Sequence, residues 1–195
     1  MLWKRRKHLD RVGRKIGLLF SKLPMSPNAW TCLGLVLAII NLYFLFNKDF
    51  LIATAVFGFA ALLDMIDGSV ARIKKKVTKL GGYLDSVTDR TVEFVIILGL
   101  FLVGYPSFIL PMDLWIFLLL FGSFMSTYMR AVSFEKKIRR NVIGGVLEHA
   151  DRMLVFFLII IISNFSLQYA TYLIALAAIL SLVSALQRFL KATKR

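Results

Sequence analysis

The sequence of 195 residues has little cysteine and little negative charge. Its single cysteine, Cys32, lies inside a hydrophobic run. One cysteine excludes both an internal disulfide framework and a cysteine-based zinc site. Asp and Glu number 11 against 25 Lys and Arg, which gives a formal net charge of +14. The basic N-terminus also lacks an adjacent short apolar core, so we expect no cleavable signal peptide.

Long hydrophobic runs are abundant instead. The chain is 58% hydrophobic with a mean hydropathy of +0.74, and neither Ala29–Phe46 nor Met153–Phe165 contains a charged residue. About 20 apolar residues in a helix cross a bilayer core of roughly 30 Å. The sequence therefore predicts a polytopic membrane protein. Basic residues between such runs are explained by topology and anionic headgroups, so membrane lipids are expected partners and nucleic acid is not.

The hydrophobic runs divide into six predicted transmembrane helices, which makes the expected fold an all-α integral membrane bundle. The predicted spans are Ala29–Phe46, Phe50–Arg72, Gly81–Tyr105, Leu110–Arg130, Gly145–Ser163 and Leu167–Phe189. Lys and Arg concentrate before the first span, after the second and fourth, and in the C-terminal tail. Because positive loops face the cytosol, both termini are predicted to be cytosolic. We expect this multi-pass protein in the plasma membrane, with its active site facing the cytosol.

The N-terminal segment forms a separate predicted unit. Between Leu2 and Leu23, apolar residues fall near one helical face and cations on the other, which is typical of an amphipathic helix in the headgroup plane. A disordered basic tail is the alternative. We therefore divide the chain into a juxtamembrane helix over residues 1–24 and a six-helix domain over residues 25–195.

Four aspartates interrupt two of the hydrophobic helices. Asp64 and Asp67 lie near the end of span two, and Asp85 and Asp89 lie near the start of span three. Spacings of three and four place each pair on one helical face. The topology puts all four at similar depth, towards the cytosolic end. Carboxylates are costly inside a bilayer and repel each other in low dielectric, so either some of them are protonated or cations neutralise them.

Two kinds of cation could neutralise these aspartates. Hard oxygen ligands from two helices suit Mg²⁺ or Mn²⁺. Alternatively, the acids pair with Arg72, Arg90 or the lysine-rich turn after span two, as packing devices. Small residues around the acids, such as Gly68 and Gly81, would let a ligand approach the backbone, although they also serve close helix packing.

The aspartates belong to a longer pattern of eight fixed positions at fixed intervals. The pattern consists of Asp64, Asp67, Gly68, Ala71, Arg72, Gly81, Asp85 and Asp89. It resembles the complete signature of the CDP-alcohol phosphotransferase family, and the six-span layout resembles that family along essentially the whole chain. The resemblance implies a transferase that moves the phosphatidyl or archaetidyl group of a CDP-lipid to a small polar alcohol and releases CMP. It also suggests a homodimer.

The resemblance further implies roles for individual residues. Asp64, Asp67, Asp85 and Asp89 would hold two divalent ions, Mg²⁺ or Mn²⁺, bridged by the diphosphate of the CDP-lipid. Asp89 would also take the proton from the incoming hydroxyl as the general base. The residues implied to contact the CDP-lipid are Asn28, Thr31, Gly68, Ala71, Arg72 and Thr78.

The acceptor is indicated by arginines near the cytosolic ends of later spans. Arg130, Arg152 and Arg188 lie where they could converge on the metal site. Arg suits bidentate phosphate recognition, so an acceptor that already carries a phosphate fits these residues. Snorkelling of the arginines to the interface is the alternative.

The same segments resemble the branch of the family that uses inositol phosphate, the phosphatidylinositol phosphate and archaetidylinositol phosphate synthases. Arg130 and Arg188 match phosphate-binding cations of that branch. The chain departs from it after Glu148, where His149 and Ala150 stand in place of Arg-Pro. His149 would then be a phosphate ligand of a different kind. Glycerol 3-phosphate, serine and inositol therefore remain alternative acceptors.

Two other classes of protein fit the intramembrane acids less well. A cation or proton transporter would need polar groups through the outer half of the membrane as well, yet Glu93 is the only further acid on span three. A structural or lipid-scaffolding protein would use the acids only to pair with arginines.

Overall fold

The computed structural model describes the backbone of residues 27–73, 78–138 and 144–193, and the side chains within these ranges except those of residues 27, 28 and 64–73. These residues form six α-helices and no β-strand, which confirms the all-α prediction. The helices are α1 (Pro27–Phe46), α2 (Phe50–Ile73), α3 (Lys79–Val103), α4 (Met112–Glu135), α5 (His149–Ser163) and α6 (Leu167–Thr193). The predicted N-terminal helix over residues 2–23 lies outside the described residues.

Eight helix ends differ from the predicted spans, and four of these differences have identifiable reasons. The third span was predicted to reach Tyr105, but α3 ends at Val103 because Gly104 adopts a left-handed conformation with φ of 70°. The fifth was predicted to begin at Gly145, but α5 begins at His149. Glu148 is its N-cap and forms a reciprocal capping box with Asp151.

The other two of these four are extensions beyond the predicted spans. Helix α4 continues past Arg130 to Glu135, and α6 continues past Phe189 to Thr193. Polar residues near these ends mark where the apolar run stops, and a helix does not have to stop at the same place. Hydropathy therefore located the helices well and their ends less well.

The helices pack as a bundle with two main sets of contacts. Helix α1 packs against α2 and α3, and α4 packs along α6, while α5 contacts both α2 and α6. The α4–α6 contact is very close, because a Cβ atom added at Gly122 would lie 2.8 Å from the backbone nitrogen of Leu182. Small residues at such crossings let helix backbones approach. Phe156, Ile159 and Ile160 of α5 are fully buried in the core.

The helices have the length and composition of a membrane protein. Ala29–Phe46, Met112–Glu135 and Leu167–Thr193 are each long and apolar enough to cross a bilayer. Large apolar side chains such as Leu51 and Phe117 are exposed on the outside of the bundle. Such a surface is expected of a protein surrounded by lipid. The chain is a membrane protein.

Candidate active site

Helix α3 carries two of the predicted metal ligands at its N-terminal end. The helix begins after Thr78, whose hydroxyl accepts a hydrogen bond of 2.9 Å from the Gly81 backbone nitrogen. Asp85 and Asp89 follow one turn apart and so lie on one face. Asp85 is exposed, and the Asp89 side chain is 28% exposed. Thr78 thus has a capping role; its predicted contact with the CDP-lipid stays a prediction.

Two cationic or potentially cationic groups approach Asp89 without binding it closely. Arg90 Nη2 lies 3.5 Å and His149 Nε2 lies 3.7 Å from Asp89 Oδ2. Both separations exceed the usual length of a charge-assisted hydrogen bond. The carboxylate is therefore held near positive charge while remaining accessible to another ligand.

One helical turn beyond Asp89, the fully buried Glu93 joins three side chains into what we call the Glu93 cluster: Arg90, Glu93, His149 and Arg152. Arg152 Nε donates to Glu93 Oε1 at 2.5 Å and Nη2 donates to Oε2 at 3.2 Å. His149 Nδ1 lies 3.1 Å from Glu93 Oε2, and Arg90 Nη1 lies 3.6 Å from the same oxygen. A single carboxylate thus faces two guanidinium groups and an imidazole.

The segment before α5 is attached to α6, and this attachment places His149 and Arg152. The backbone nitrogen of Leu147 donates to Ser184 Oγ at 2.8 Å, and that of Val146 donates to Gln187 Oε1 at 3.2 Å. Arg152 Nη1 then donates to the Leu147 carbonyl at 3.2 Å. Polar residues on one face of α6 therefore fix the start of α5.

Arg188 is buried beside the Glu93 cluster. Its side chain is nearly inaccessible, and its Nη1 donates to the Ser126 carbonyl at 2.7 Å. It lies within electrostatic range of Arg90, Arg130 and Arg152 as well as Glu148. In the described part of the chain, Arg188 Nε has no hydrogen-bond partner and no carboxylate lies within 4 Å of the guanidinium. A buried guanidinium with spare donors and cationic neighbours favours an anionic ligand.

The arginines predicted to bind the acceptor therefore occupy one region of the bundle. Arg152 and Arg188 are buried, whereas Arg130 on α4 is exposed. Arg152 differs from Arg188 because its charge is already paired with Glu93. The snorkelling alternative does not fit Arg152 or Arg188, since neither side chain reaches the surface.

A cavity of about 620 Å³ opens beside Asp89 and His149. Residues of α1, α2, α3 and α5 line it, and apart from Thr31, Thr88, Asp89, His149 and the buried Asn41 its walls are apolar or glycine. The lining includes the predicted CDP-lipid contact Thr31. An apolar cavity of this size with a few polar groups can enclose much of a hydrophobic ligand.

The remaining predicted site residues belong to parts whose side chains are not described. Asp64, Asp67, Gly68, Ala71 and Arg72 lie on α2, whose backbone is helical at these positions. Asn28 lies in the first turn of α1. Their predicted roles stay predictions.

Asp85 and Asp89 fit half of a divalent-metal site. They offer only hard oxygen ligands from one helix face, which suits Mg²⁺ or Mn²⁺. Two carboxylates alone do not enclose an ion, and over the described residues no group of three or more His, Cys, Asp or Glu side chains is arranged to hold one. A complete site therefore requires further ligands, for which Asp64 and Asp67 are the candidates.

Sequence reasoning overlooked Glu93 and Arg90 as parts of the site. Glu93 was considered only as an additional acid, and Arg90 only as a partner of the aspartates. The available signal was spacing: Glu93 lies four residues after Asp89 and shares its helical face.

The helical membrane bundle thus places Asp89 and His149 at an apolar cavity, with Arg90 and Arg152 close behind them, and such a site is suited to an anionic lipid. Residues 24–185 match the family model described as CDP-alcohol phosphatidyltransferase. The chain belongs to this family. The resemblance seen in the signature is thereby confirmed.

Individual relatives support this assignment. An archaetidylinositol phosphate synthase from Pyrococcus horikoshii is 30% identical over 195 residues, which cover 100% of this chain and 98% of the relative. The crystal structure of Mycobacterium tuberculosis phosphatidylinositol phosphate synthase with CDP-DAG bound superimposes with a TM-score of 0.81 at 22% identity, over 95% of this chain and 98% of that one.

A second structure of the mycobacterial protein was solved in complex with manganese and citrate. It matches with a TM-score of 0.81 at 22% identity, covering 94% of this chain and 92% of that one. At this identity the likeness establishes a shared fold. Family membership, given by the sequence, identifies the chain as a membrane transferase and replaces the transporter and scaffold hypotheses.

Proposed function

We propose that this enzyme transfers the phosphatidyl or archaetidyl group of a CDP-lipid to inositol phosphate and releases CMP. The observation that carries the proposal is the meeting of three features at one place. The apolar cavity opens at Asp89 and His149, Asp85 precedes Asp89 by one turn of α3, and the buried Arg188, whose Nε is unpaired among the described residues, lies within electrostatic range of Arg90 and Arg152. The names of the relatives from P. horikoshii and M. tuberculosis support inositol phosphate as the acceptor.

In the proposed reaction, the acceptor hydroxyl oxygen forms a bond to the lipid-side phosphorus of the CDP-lipid. The bond from that phosphorus to the bridging oxygen breaks, and this oxygen leaves on CMP. Asp89 accepts the hydroxyl proton as general base. Asp64, Asp67, Asp85 and Asp89 would hold two Mg²⁺ or Mn²⁺ ions. Such ions neutralise developing charge on the phosphoryl oxygens when bound.

The donor would lie with its hydrophobic part in the apolar cavity and its nucleotide towards α1 and α2. Thr31 lines the cavity, and Asn28, Gly68, Ala71, Arg72 and Thr78 are the further proposed contacts. Gly68 and Ala71 lack bulk that would obstruct a nucleotide against α2. The lipid chains explain why the site is inside a membrane protein.

The acceptor phosphate would bind where the arginines gather. Arg188 supplies unused donors, and Arg130 adds an exposed cation nearby. Arg152 and His149 complete the proposed pocket from α5. An anion there would offset the excess of positive charge and satisfy the buried guanidinium of Arg188.

We further propose six membrane spans with both termini and the active site on the cytosolic side of the plasma membrane. The alternation of basic and weakly charged loops supports this orientation. The division into an N-terminal helix over residues 1–24 and a transferase domain over residues 25–195 accompanies it, as does assembly into a homodimer.

An acceptor panel tests the proposed function. The purified protein, with Mg²⁺ and either CDP-diacylglycerol or CDP-archaeol, would be offered inositol 1-phosphate, glycerol 3-phosphate, serine or inositol. We expect CMP release to be fastest with inositol 1-phosphate and to stop in excess chelator. Faster release with glycerol 3-phosphate, serine or inositol would reassign the acceptor, and metal-independent release would contradict the mechanism.

A further inference from the structure

Glu93 has no role in the reaction proposed above, yet it is the only acidic side chain among the fully buried residues that the structure describes. Burying a carboxylate in an apolar bundle is costly unless it is paired and hydrogen-bonded. Its position one turn below Asp89 places it at the site and not in a remote part of the core.

Both oxygens of Glu93 are used, and they bind groups from another helix. Arg152 makes a two-pronged contact with Oε1 and Oε2, which fixes the plane of the guanidinium as well as its distance. Oε2 additionally lies 3.1 Å from His149 Nδ1. A carboxylate at Nδ1 holds the imidazole by one nitrogen and determines where the other nitrogen points.

The imidazole held in this way faces Asp89, the proposed general base. His149 Nε2 is the nitrogen that lies 3.7 Å from Asp89 Oδ2, and His149 also lines the apolar cavity. Without Glu93 the ring would be free to rotate away from Asp89. The orientation of a predicted acceptor ligand therefore depends on a residue that does not itself reach the cavity.

Glu93 also affects the charge available to an acceptor. Its single negative charge faces Arg152 and, at 3.6 Å, Arg90. Arg90 is fixed at the same time by its hydrogen bond of 2.6 Å to Thr127 on α4. Asp89 also faces Arg90, at 3.5 Å, so the positive charge left without a carboxylate within 4 Å among the described residues is that of the buried Arg188. Glu93 thus arranges the cations without neutralising them all.

We propose that Glu93 is a positioning residue, whose carboxylate holds His149 and Arg152 in the arrangement that binds the acceptor phosphate beside Asp89. This inference rests on the proposed transfer reaction. A purely structural ion pair is the competing explanation, because removing one partner of a buried pair destabilises a fold whether or not the pair also positions a ligand. The two explanations predict different kinetic behaviour of the folded protein.

The test compares Glu93→Gln and Glu93→Asp with wild type. Gln keeps the size and an acceptor but removes the charge, whereas Asp keeps the charge and shortens the side chain by one methylene. We expect Glu93→Gln to raise the KM for inositol 1-phosphate about tenfold or more. Without the charge of Glu93, its hydrogen bonds to Arg152 and His149 weaken, and these two side chains are held less firmly in the arrangement that binds the acceptor phosphate. Glu93→Asp should raise this KM less, and the KM for the CDP-lipid should stay within about twofold in both.

A matched control separates positioning from stability. Tyr105→Phe removes a buried hydrogen bond to Ser163 just beyond the other end of α3, so it should lower thermal stability without changing either KM. Binding of inositol 1-phosphate, measured as thermal stabilisation, provides a readout independent of turnover. We expect this stabilisation to be reduced in both Glu93 variants.

The outcomes are distinguishable. Wild-type protein that works with inositol 1-phosphate, together with Glu93 variants that keep its KM and its thermal stabilisation, would overturn the positioning role alone. Wild-type protein that neither uses nor is stabilised by inositol 1-phosphate would overturn the proposed function and this inference with it. If Glu93→Gln fails to fold, the decision rests on Glu93→Asp.

Discussion

The two ends of the helical bundle treat their polar groups in different ways. At the end opposite Asp89, Tyr105 and Ser163 share a hydrogen bond of 2.7 Å, and Ser163 also donates to the Ile159 carbonyl at 2.8 Å. Thr171 donates to the Pro106 carbonyl at 3.2 Å. These groups are neutral, and their partners are nearby protein atoms.

The Asp89 end instead carries unequal charge and unused donors. Asp89 has only long contacts to Arg90 and His149, and Arg188 Nε has no partner among the described residues. Satisfied neutral polar groups stabilise a structure, whereas buried guanidinium donors without partners reduce stability unless a ligand completes them. The difference supports the proposal that ligands bind at the Asp89 end.

The largest effect is expected from Asp89→Asn, which should remove the general base and one metal ligand together. We expect CMP release to fall by about 100- to 10,000-fold, the usual range for general acid–base catalysis. The measurement is CMP release with CDP-lipid, inositol 1-phosphate and Mg²⁺. Asp113→Asn, an exposed acid in the first turn of α4, is the matched control and should retain wild-type activity. Full activity of Asp89→Asn would be incompatible with the mechanism.

A smaller effect, confined to the acceptor, is expected from Arg188→Gln. Loss of a charged hydrogen-bond donor to phosphate should raise the KM for inositol 1-phosphate roughly 10- to 100-fold. In Arg188→Lys, the KM for inositol 1-phosphate should lie between those of wild type and Arg188→Gln, because lysine keeps the charge but lacks the planar guanidinium. Any slow activity with unphosphorylated inositol should not decrease. An equal loss with both acceptors would mean that Arg188 supports the fold instead of binding phosphate.

The third effect concerns packing between the ends. Gly122→Ala would place a methyl group 2.8 Å from the backbone of α6, so α4 and α6 would have to separate. We expect a destabilisation of about 1–3 kcal/mol, seen as a lower melting temperature in detergent. The kinetic constants of the protein that remains folded should change little. A higher KM for the acceptor would instead show that the distance between α4 and α6 also determines the position of the Arg188 side chain.

The sequence was sufficient for the helices and for part of the site. Hydrophobic runs located the six helices of the described residues, and the interval between Asp85 and Asp89 placed them correctly on one face of α3. The Glu93 cluster could not be predicted in the same way, because its contacts join α3 to α5. They depend on the position at which α5 packs beside α3, which the spacing within one helix does not give. The start of α5 was missed because Glu148 and Asp151 form a capping box of two acids, unlike the usual Ser or Thr with Glu.

The smallest effect is expected at the neutral end, from Tyr105→Phe. The substitution removes one hydrogen bond, and Ser163 keeps its bond to the Ile159 carbonyl, so the loss should be about 1 kcal/mol. Tyr105 follows the end of α3, some 24 Å along the chain direction from Asp89 by helical rise, and both KM values should therefore stay within about twofold. Thermal melting and steady-state kinetics on one preparation measure the two quantities. A slower reaction in this variant would mean that polar groups far from Asp89 also control the site, and that the two ends are not independent.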